Sequence, residues 1–310
     1  MIRLNTELRR IKKKLLEKEA VNLPARLSIS TILQLNFLPL RLREIIFTQI
    51  ACRIPLVNVD QFSINTSCGR KFKVGTPYKN SIARELFWLG YNGRQPETTR
   101  VFSRLVKNAK VIFDMGTNIG FYALLAGSIN KSSIIYAFEP VPFLFESLVN
   151  NISINSFLNI VPVQMAITDL DGRITFYINV ESDQSASTLK GFREKTQKIT
   201  VPCITLDTYV EQNNIEKVDL VKIDIEGQDH RVLQGMQRIL ARDEPDIICE
   251  VLYGRTEAAL QEILSGFSYK YYWITDDGLI CRDKIVGDSQ YKNVNWLFSK
   301  KAIEQDLLDK

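Results

Sequence analysis

The chain has 310 residues, of which 45% are hydrophobic and 24% are charged, and its 40 Lys and Arg against 35 Asp and Glu give a formal net charge of +5. This composition excludes an intrinsically disordered chain, a collagen-like repeat and a small disulfide scaffold. The slight basic excess does not indicate a dedicated nucleic-acid binder.

The first 80 residues are predicted to form an N-terminal extension. The opening twenty have the pattern of a basic amphipathic helix, an apolar stretch follows at 27–50, and the alternation at 57–74 predicts a small hairpin. A solvated or self-packing first helix is the favoured interpretation, and contact with a membrane surface is the alternative. Polar residues interrupt the apolar stretch too often for a transmembrane helix, which needs about 20 mostly apolar residues.

The cysteine pattern and the N-terminal sequence both bear on the cellular compartment. The five cysteines are far apart in sequence and form no C-x-x-C pair. This spacing argues against a zinc ribbon or a redox-active dithiol. The basic residues near the start lead into acidic residues rather than into the apolar core of a signal peptide. We therefore predict a protein of the reducing cytoplasm.

Residues 81–300 are predicted to form the main domain, and residues 301–310 a short C-terminal tail. From Val111 onward, short runs rich in Val, Ile and Phe alternate with helical stretches, two of which are expected at Pro142–Asn155 and from Asp229 to Ala241. This alternation predicts a doubly wound α/β domain with a mostly parallel sheet. The alternating stretch GRITFYIN at 172–179 is predicted to be a strand inserted after a turn. Aromatic-rich runs near the end are expected to close the sheet as an antiparallel pair.

A glycine-containing loop follows the first of these strands, in the stretch DMGTNIG at 114–120. Gly116 and Gly120 allow a sharp turn and a close approach of the backbone to a ligand. The next helix directs its free N–H groups into the same crevice. Glu139 ends the following strand, 19 residues after Gly120, where a carboxylate is suited to accept both hydroxyls of a ribose. Loop and acid together predict an adenosine-containing ligand.

The residue that opens the loop, Asp114, distinguishes between two such ligands. A dinucleotide site has the pattern G-x-G-x-x-G, which leaves room for a pyrophosphate, and this loop lacks one of those glycines. A carboxylate there repels phosphate but suits an ammonium or a sulfonium group, so S-adenosylmethionine (SAM) is favoured over NAD. Taken alone, Asp114 would more simply be a helix N-cap.

A second group of ionisable residues lies in VDLVKIDIEG at 218–227. If this stretch is one strand, Lys222, Asp224 and Glu226 share a face. Three such groups in a buried strand must pair with one another or meet a polar cavity. An internal ion pair is one interpretation. The favoured interpretation pairs Lys222 and lets Asp224 face the reacting groups.

His230 is the only histidine in the chain, and it follows this stretch on the first turn of a predicted helix. It is a candidate general base for an alcohol acceptor, and Asp224 is the alternative base. A surface or hydrogen-bonding role for the histidine is the competing interpretation. Asp224 and Glu250 could instead hold a divalent cation, although two carboxylates at separate strand ends are weak evidence for one. The need for a metal stays open.

The ordered set VIFDMGTNIGFYALLAG, IIYAFEPVPFLFESLVNN, TLDTYVE and VDLVKIDIEG followed by VLQG resembles the FkbM family of SAM-dependent methyltransferases, over roughly residues 95–255. The resemblance implies a class I methyltransferase sheet of seven strands, mostly parallel, with the last strand antiparallel. It also implies that Glu139 holds the ribose of SAM and that Ala166 lies against the adenine. Four residues would line the methionine end: Asp114, Gly116, Asn118 and Gly120.

The sequence departs from the family pattern in two places. Gln228-Asp229-His230 stands where a glutamate usually follows the EG pair, and the N-terminal extension is not covered by the resemblance.

Taken together, these features predict a SAM-dependent O-methyltransferase that modifies a hydroxyl of a small molecule or glycan, such as a sugar or a polyketide-like acceptor. Its predicted catalytic residues are Asp224, Glu226 and His230. Two alternatives remain, namely a non-catalytic SAM- or glycan-binding scaffold and a nicotinamide-dependent dehydrogenase. No nucleic-acid partner is expected, because the D/N-P-P-Y/F tetrapeptide of base-modifying methyltransferases is absent. The oligomeric state is not indicated.

Overall fold

The computed structural model describes residues 56, 59–76, 80–179, 186–187, 196–225 and 227–303 of the chain. These residues belong to two compact units, which divide in sequence between Pro96 and Glu97. The predicted amphipathic helix and the apolar stretch at 27–50 lie outside the described residues, as does the tail from residue 304. The domain boundary expected near residue 80 stays a prediction.

The first unit contains a hairpin and a helix. Strands β1 (Gln61–Asn65) and β2 (Lys71–Gly75) pair antiparallel, as the alternation of their residues predicts. Helix α1 (Ser81–Leu89) follows them. The rings of Phe62 in β1 and Phe87 in α1 meet edge to face at 5.3 Å, so an aromatic contact joins the hairpin to the helix.

The second unit is an α/β domain, and helix α2 (Pro96–Val106) begins at the division between the units. The first part of the domain consists of β3 (Val111–Met115), α3 (Phe121–Ile129), β4 (Ile134–Phe138), α4 (Pro142–Asn155) and β5 (Ile160–Val163). The last part consists of α5 (Leu206–Gln212), β10 (Leu220–Ile223), α6 (Asp229–Gln234), α7 (Gln237–Arg242), β11 (Asp246–Glu250), α8 (Glu257–Ser265), β12 (Lys270–Thr275), β13 (Gly278–Arg282) and β14 (Asn295–Ser299). Among the helices of the described residues, none combines the length and apolar character that a membrane crossing requires.

The main sheet has eight strands in the order β5-β4-β3-β10-β11-β14-β12-β13. The first five run parallel, while β14 is antiparallel to both of its neighbours. The predicted doubly wound α/β class is therefore confirmed, and the predicted antiparallel pair is the pair of β12 with β14. The eighth strand is a difference from the predicted seven. The turn at Asp276-Asp277-Gly278 returns the chain so that β13 pairs antiparallel with β12 and extends the edge.

The middle strands of the sheet are buried on both faces. All four residues of β10 are buried, and so are Ile112, Phe113, Asp114 and Met115 of β3. A parallel strand needs such cover on both sides, which the crossover helices supply. The strand order also reverses here, because the chain runs from β3 outward to β5 and later returns to place β10 on the other side of β3. Open α/β sheets bind their ligands at this reversal, beyond the carboxyl ends of the strands.

A second, smaller sheet is inserted between β5 and α5. It consists of β6 (Ala166–Ile167), β7 (Gly172–Asn179), β8 (Ala186–Ser187) and β9 (Thr196–Ile204), in the order β6-β9-β7-β8. The strand predicted at 172–179 is β7, which pairs antiparallel with β9 along its whole length. The inserted strand thus belongs to a separate sheet.

The helix predicted to run unbroken from Asp229 to Ala241 is in fact two helices, α6 and α7, separated at Gly235 and Met236. A Cβ added to Gly235 would lie 2.2 Å from the backbone oxygen of Thr168, just after β6. The helical period continues through the sequence, but the chain bends at Gly235 because its backbone packs directly on that carbonyl. The prediction of one helix was wrong for this reason.

The strand predicted at 218–227 is also shorter than expected, because β10 ends at Ile223. The backbone N–H of Asp224 still donates to the oxygen of Met115 at 3.1 Å, after which the chain leaves the sheet. Gly227 then turns with a φ of +83°. Asp224 is therefore not a strand residue, and the expected alternation of faces does not extend to it.

Candidate functional site

The predicted glycine-containing loop lies at the point where the strand order of the main sheet reverses, between β3 and β10. The N–H groups of Gly116 and Thr117 both donate to the oxygen of Phe138 at 3.1 Å, which ties the loop to the end of β4. Gly116 has a φ of +74°, and a Cβ added to it would lie 2.1 Å from the backbone oxygen of Asp224. The loop therefore packs against the end of β10 at a distance that only glycine permits.

Gly120 brings the loop into helix α3, and a second close packing fixes its position. Its φ is +94°, and an added Cβ would lie 2.6 Å from a methyl group of Leu148 in α4. Asn151, also in α4 and buried, donates from Nδ2 to the oxygen of Ile119 at 2.8 Å. The sequence analysis missed Asn151, since an asparagine within a helix gives no signal that it supports a loop in another part of the chain.

Asp114 is buried at the end of β3 and holds the loop from within. Its Oδ2 accepts a hydrogen bond from the hydroxyl of Thr117 at 2.6 Å, and the backbone N–H of Ala123 in α3 also donates to its carboxylate. Burial raises the pKa of Asp114 to about 6, although the hydrogen bond from Thr117 and the charge of Lys222 oppose this shift. The N-cap of α3 is Gly120 rather than Asp114, although the Asp114 carboxylate accepts the N–H of Ala123 in the first turn of that helix. A role of Asp114 towards a cofactor stays a prediction.

Glu139 is buried after β4 and joins the same loop. Its Oε2 accepts the backbone N–H of Asn118 at 2.9 Å, and its Oε1 accepts that of Val141, also at 2.9 Å. Burial raises the pKa of Glu139 to about 7, with the two backbone hydrogen bonds opposing the shift. Each carboxylate oxygen has two lone pairs, so both can accept one further hydrogen bond. Asn118 presents its N–H in this direction because its backbone is left-handed, with a φ of +54°.

Lys222 is wholly buried in β10 and pairs with Asp224. Its Nζ lies 3.3 Å from Oδ2 of Asp224 and 5.2 Å from the ring centre of Tyr122. Burial alone would lower the pKa of Lys222, but Asp224, Tyr122 and other acidic groups outweigh it and raise the pKa above its usual value. The ammonium group therefore stays charged. The Asp224 side chain is 24% exposed, so it is open to solvent as well as paired with the lysine.

Asp229, the first residue of α6, supports the segment that follows β10. It is wholly buried, and its Oδ1 accepts the backbone N–H of Ile225 at 3.3 Å, while Oδ2 has no hydrogen-bond partner. Burial, with a smaller contribution from the nearby charge of Asp224, raises the pKa of Asp229 to about 7. The sequence showed Asp229 only as a departure from the family pattern. Its contact with Ile225 now gives it a structural role.

His230 lies next to Asp229 but is directed towards a different group of charges. Its Nδ1 is buried without a hydrogen-bond partner. Burial lowers the pKa of His230, and the charges acting on it are those of Arg231 and Asp169, which form an ion pair with an Nε–Oδ1 distance of 2.8 Å. No described contact brings His230 to Asp224. Their shared catalytic role therefore stays a prediction.

The remaining predicted site residues have mixed outcomes. Ala166 is buried in β6, just past β5, whose Val163 accepts the backbone N–H of Glu139 at 3.1 Å. Ala166 therefore comes shortly after β5, which pairs with β4, the strand that leads to Glu139. Glu226 lies outside the described residues. Within the described ranges, no group of three or more His, Cys, Asp or Glu side chains could hold a metal ion.

The sequence matches the model of a protein family described as the methyltransferase FkbM domain, over residues 114–271, which is just over half of the chain. The chain belongs to the FkbM methyltransferase family. The matched range begins at Asp114 and includes the loop, Glu139, Lys222, Asp224 and Asp229, so the whole candidate site lies within the FkbM domain.

Two relatives illustrate the family. The chain is 26% identical to the hexuronic acid methyltransferase AglP of Haloferax volcanii, over 47% of this chain and 58% of that protein. It is also 26% identical to the 31-O-demethyl-FK506 methyltransferase FkbM of Streptomyces tacrolimicus, over 41% of this chain and 59% of that protein. The chain thus spans less than two thirds of the length of these relatives.

Among solved structures, the chain is similar to a methyltransferase FkbM from Methylobacillus flagellatus KT. The two share 14% identity with a TM-score of 0.41, over 70% of this chain and 54% of that one. The assignment of the FkbM family therefore depends on the sequence match.

Substitution of Gly116 by alanine should be more destabilising than the same change at Gly69. Both glycines have a φ of +74°, but nothing lies within 4 Å of a Cβ added to Gly69. We expect Gly69→Ala to lower the free energy of unfolding by about 1 kcal/mol through left-handed backbone strain. Gly116→Ala should lower it by about 1–3 kcal/mol more, because its Cβ collides with the backbone of Asp224. Urea unfolding of both variants measures the difference, and equal losses would contradict the contact between the loop and β10.

The buried carboxyls predict how stability depends on pH. The folded-state pKa values of Glu139 and Asp229 are raised to about 7, and that of Asp114 to about 6, chiefly by burial. A raised carboxyl pKa stabilises the fold fully below the unfolded pKa, and this contribution is lost as pH rises through the folded pKa. The free energy of unfolding should therefore fall by roughly a few kcal/mol between about pH 4 and about pH 7.

Asp229→Asn isolates one of these carboxyls, because the amide oxygen can still accept the N–H of Ile225 but the group cannot ionise. The variant should be more stable than the natural chain above about pH 7, by about 1–3 kcal/mol, with the difference vanishing towards about pH 4. Asp283→Asn, at an exposed aspartate, is the control and should leave the slope unchanged. Urea unfolding across this pH range gives the answer, and parallel curves for Asp229→Asn and the natural chain would show the proposed ionisation to be absent.

Proposed function

We propose that the chain is a SAM-dependent O-methyltransferase that acts on a hydroxyl group of a small molecule or a glycan. The observation that carries the proposal is the connection between Asp114 and Glu139 through one tight loop. Glu139 accepts the N–H of Asn118, and Asp114 accepts the hydroxyl of Thr117, at the reversal of strand order where such sheets bind ligands.

The loop has the form that an adenosyl ligand needs. At Gly116 and Gly120 the loop has no side chain, and an added Cβ would collide with neighbouring atoms. Helix α3 begins directly after Gly120, so its first N–H groups face the same crevice. Glu139 has lone pairs left for the two ribose hydroxyls. Ala166 follows β5, the next strand, and we assign it the position against the adenine.

The charges of the site favour a cationic ligand over a dinucleotide. The carboxyls of Asp114, Asp224 and Asp229 outnumber the one buried cation described beside them, Lys222. A pyrophosphate would meet repulsion here, whereas the ammonium and sulfonium groups of SAM would be attracted. This argues against the nicotinamide-dependent dehydrogenase considered from the sequence.

SAM supplies a methyl group on a positively charged sulfur when it is bound. We assign Asp224 the task of orienting the acceptor hydroxyl and taking its proton, as the bond from the methyl carbon to oxygen would form and its bond to sulfur would break. Its side chain reaches the crevice, and Lys222 fixes one of its oxygens at 3.3 Å. Because the lysine fixes the carboxylate in place, we expect positioning of the acceptor to contribute more than proton abstraction.

His230 and Glu226 remain proposed helpers in this step. The lowered pKa of His230 keeps its imidazole neutral near pH 7, which is the form that accepts a proton. The charges that act on His230 are those of Arg231 and Asp169 rather than that of Asp224, and we therefore rank it second to Asp224 as the base. Glu226 is proposed from its position in the sequence alone, two residues after Asp224.

The two named relatives define the range of acceptors that we propose. One is named for a hexuronic acid, which is a sugar acid, and the other for an oxygen-linked methyl group on FK506. Both names fit transfer to a hydroxyl-bearing acceptor. A non-catalytic SAM-binding scaffold is the competing proposal, and it differs from ours in predicting that Asp224 can be replaced without loss of any reaction.

Cofactor binding should depend on pH. Isothermal titration calorimetry should detect SAM but not NAD, and the affinity for SAM should rise about tenfold or more from about pH 5.5 to about pH 8. The reason is that Glu139, with a pKa of about 7, and Asp114, with a pKa of about 6, must be ionised to act as proposed. S-adenosylhomocysteine lacks the sulfonium charge and should show a smaller rise. Binding of NAD in place of SAM, or no binding of either, contradicts the proposal.

Methyl transfer should depend on Asp224. Purified protein is incubated with methyl-labelled SAM and an extract of small molecules and glycans, and mass spectrometry follows the gain of one methyl group. Asp224→Asn should lower the rate about 10²–10⁴-fold while SAM binding is kept, because general-base and positioning effects are lost. Asp283→Asn, which changes an exposed aspartate, should retain the natural rate. A natural rate in Asp224→Asn would favour another base, and no labelled product with the natural chain would favour the scaffold.

A further inference from the structure

Two exposed tyrosines lie on loops at the carboxyl edge of the main sheet, on the side of β10 opposite to Glu139. Tyr253 is 50% exposed and comes three residues after β11, while Tyr291 is 54% exposed and comes four residues before β14. Glu250 at the end of β11 pairs with Asn295 at the start of β14, so both loops emerge at one edge. We call Tyr253 and Tyr291 the tyrosine pair.

The tyrosine pair is held by direct contacts between its two loops. The hydroxyl of Tyr291 donates to the backbone oxygen of Tyr253 at 3.4 Å. A Cβ added to Gly287 would lie 2.4 Å from the Cα of Tyr253, so the two backbones are in contact there. Val251 donates its N–H to the oxygen of Val294 at 2.7 Å, which joins the loops again at their base.

Two carboxylates organise these loops further. Oε1 of Glu257 accepts the N–H of Gly254 at 2.7 Å and that of Gly287 at 3.3 Å, and thus links one loop to the other. Oδ2 of Asp288 accepts the N–H group of Lys292 at 3.0 Å and that of Asn293 at 2.9 Å, so this carboxylate holds the turn before β14. Backbone hydrogen bonds hold the pKa of Asp288 below its usual range. The backbones that carry the two exposed rings are therefore held by hydrogen bonds.

Exposed aromatic rings on a well-ordered backbone are suited to contact with a ligand rather than to packing. The aromatic runs near the end of the chain are largely in the core, since Tyr269, Tyr271, Tyr272 and Trp296 are buried. Tyr253 and Tyr291 differ from them in presenting their rings to solvent among polar neighbours. A ligand that fits has one apolar face and a polar rim.

We propose that the tyrosine pair is the acceptor subsite and that the acceptor is a saccharide, one of whose pyranose rings stacks on Tyr253 and Tyr291. The C–H groups of one sugar face would contact the rings, while its hydroxyls meet water and the polar loops. β11 is adjacent to β10, about 4.8 Å away, and Tyr253 lies at most about 10 Å beyond Glu250. A saccharide bound there extends towards Asp224. This inference rests on the proposed function for the transfer step.

Saturation-transfer NMR tests the subsite without requiring transfer. The probes are the methyl pyranosides of glucose, galactose, mannose and glucuronic acid, each added in excess to the full chain, with cyclohexanol as a ring of similar size that lacks the polar rim. At least one pyranoside should receive saturation at its C–H groups. Tyr253→Ala and Tyr291→Ala should each reduce that signal about fivefold or more, whereas Tyr253→Phe should retain it because the ring face is kept.

Leu158→Ala is the matched control, since Leu158 is a fully exposed apolar side chain before the opposite edge strand, β5. It should leave the signal unchanged. The inference is overturned if no pyranoside receives saturation, if the alanine variants at Tyr253 and Tyr291 behave like the natural chain, or if cyclohexanol responds as strongly as the sugars. SAM calorimetry on the natural chain separates the two proposals. If the natural chain does not bind SAM, the proposed function is contradicted, whereas the sugar-binding result is unaffected.

Discussion

The close approach of two backbones beyond the ends of β3 and β10 determines the geometry of the site. Gly116 lies so near the carbonyl of Asp224 that no side chain fits between them. The N–H of Asp224 donates to the backbone oxygen of Met115, the last residue of β3 before the loop. The loop that would receive the cofactor and the residue that would meet the acceptor are thus parts of one contact. A shift of either strand end would move both, which makes their relative position insensitive to side-chain motion.

Burial of so many acidic groups around this contact has an electrostatic cost, and Lys222 offsets part of it. A wholly buried lysine is tolerated only with close partners, and Asp224 lies 3.3 Å from its ammonium. Asp114 and Asp229 remain costly to ionise, as their raised pKa values indicate. A bound cation would lower that cost, so the proposed affinity for a cationic ligand and the predicted fall in stability on ionisation have the same origin.

Local patterns in the sequence were sufficient for the elements but not for their long-range contacts. The strand at Gly172–Asn179 and the helix at Pro142–Asn155 have the predicted bounds, since alternation, proline at the helix start and apolar period are local signals. The break at Gly235 depends on a carbonyl 67 residues earlier, and the support from Asn151 depends on a loop 32 residues earlier. Such contacts produce no periodic pattern in the sequence, and the exposure of Tyr253 produces none either.

The division of the carboxyl edge follows from the strand order itself. Strands β4 and β5 lie on one side of β3, and strands β10 and β11 lie on its other side. The residue that suits the ribose of an adenosyl group therefore follows β4, whereas the exposed tyrosines lie on the loops after β11 and before β14. Asp224 stands between the two groups, at the end of the strand next to the reversal. Under the proposed function, a reaction that joins a donor on one side to an acceptor on the other would need its positioning group at that place. Asp224 is a carboxylate there whose side chain is both held by a lysine and partly exposed.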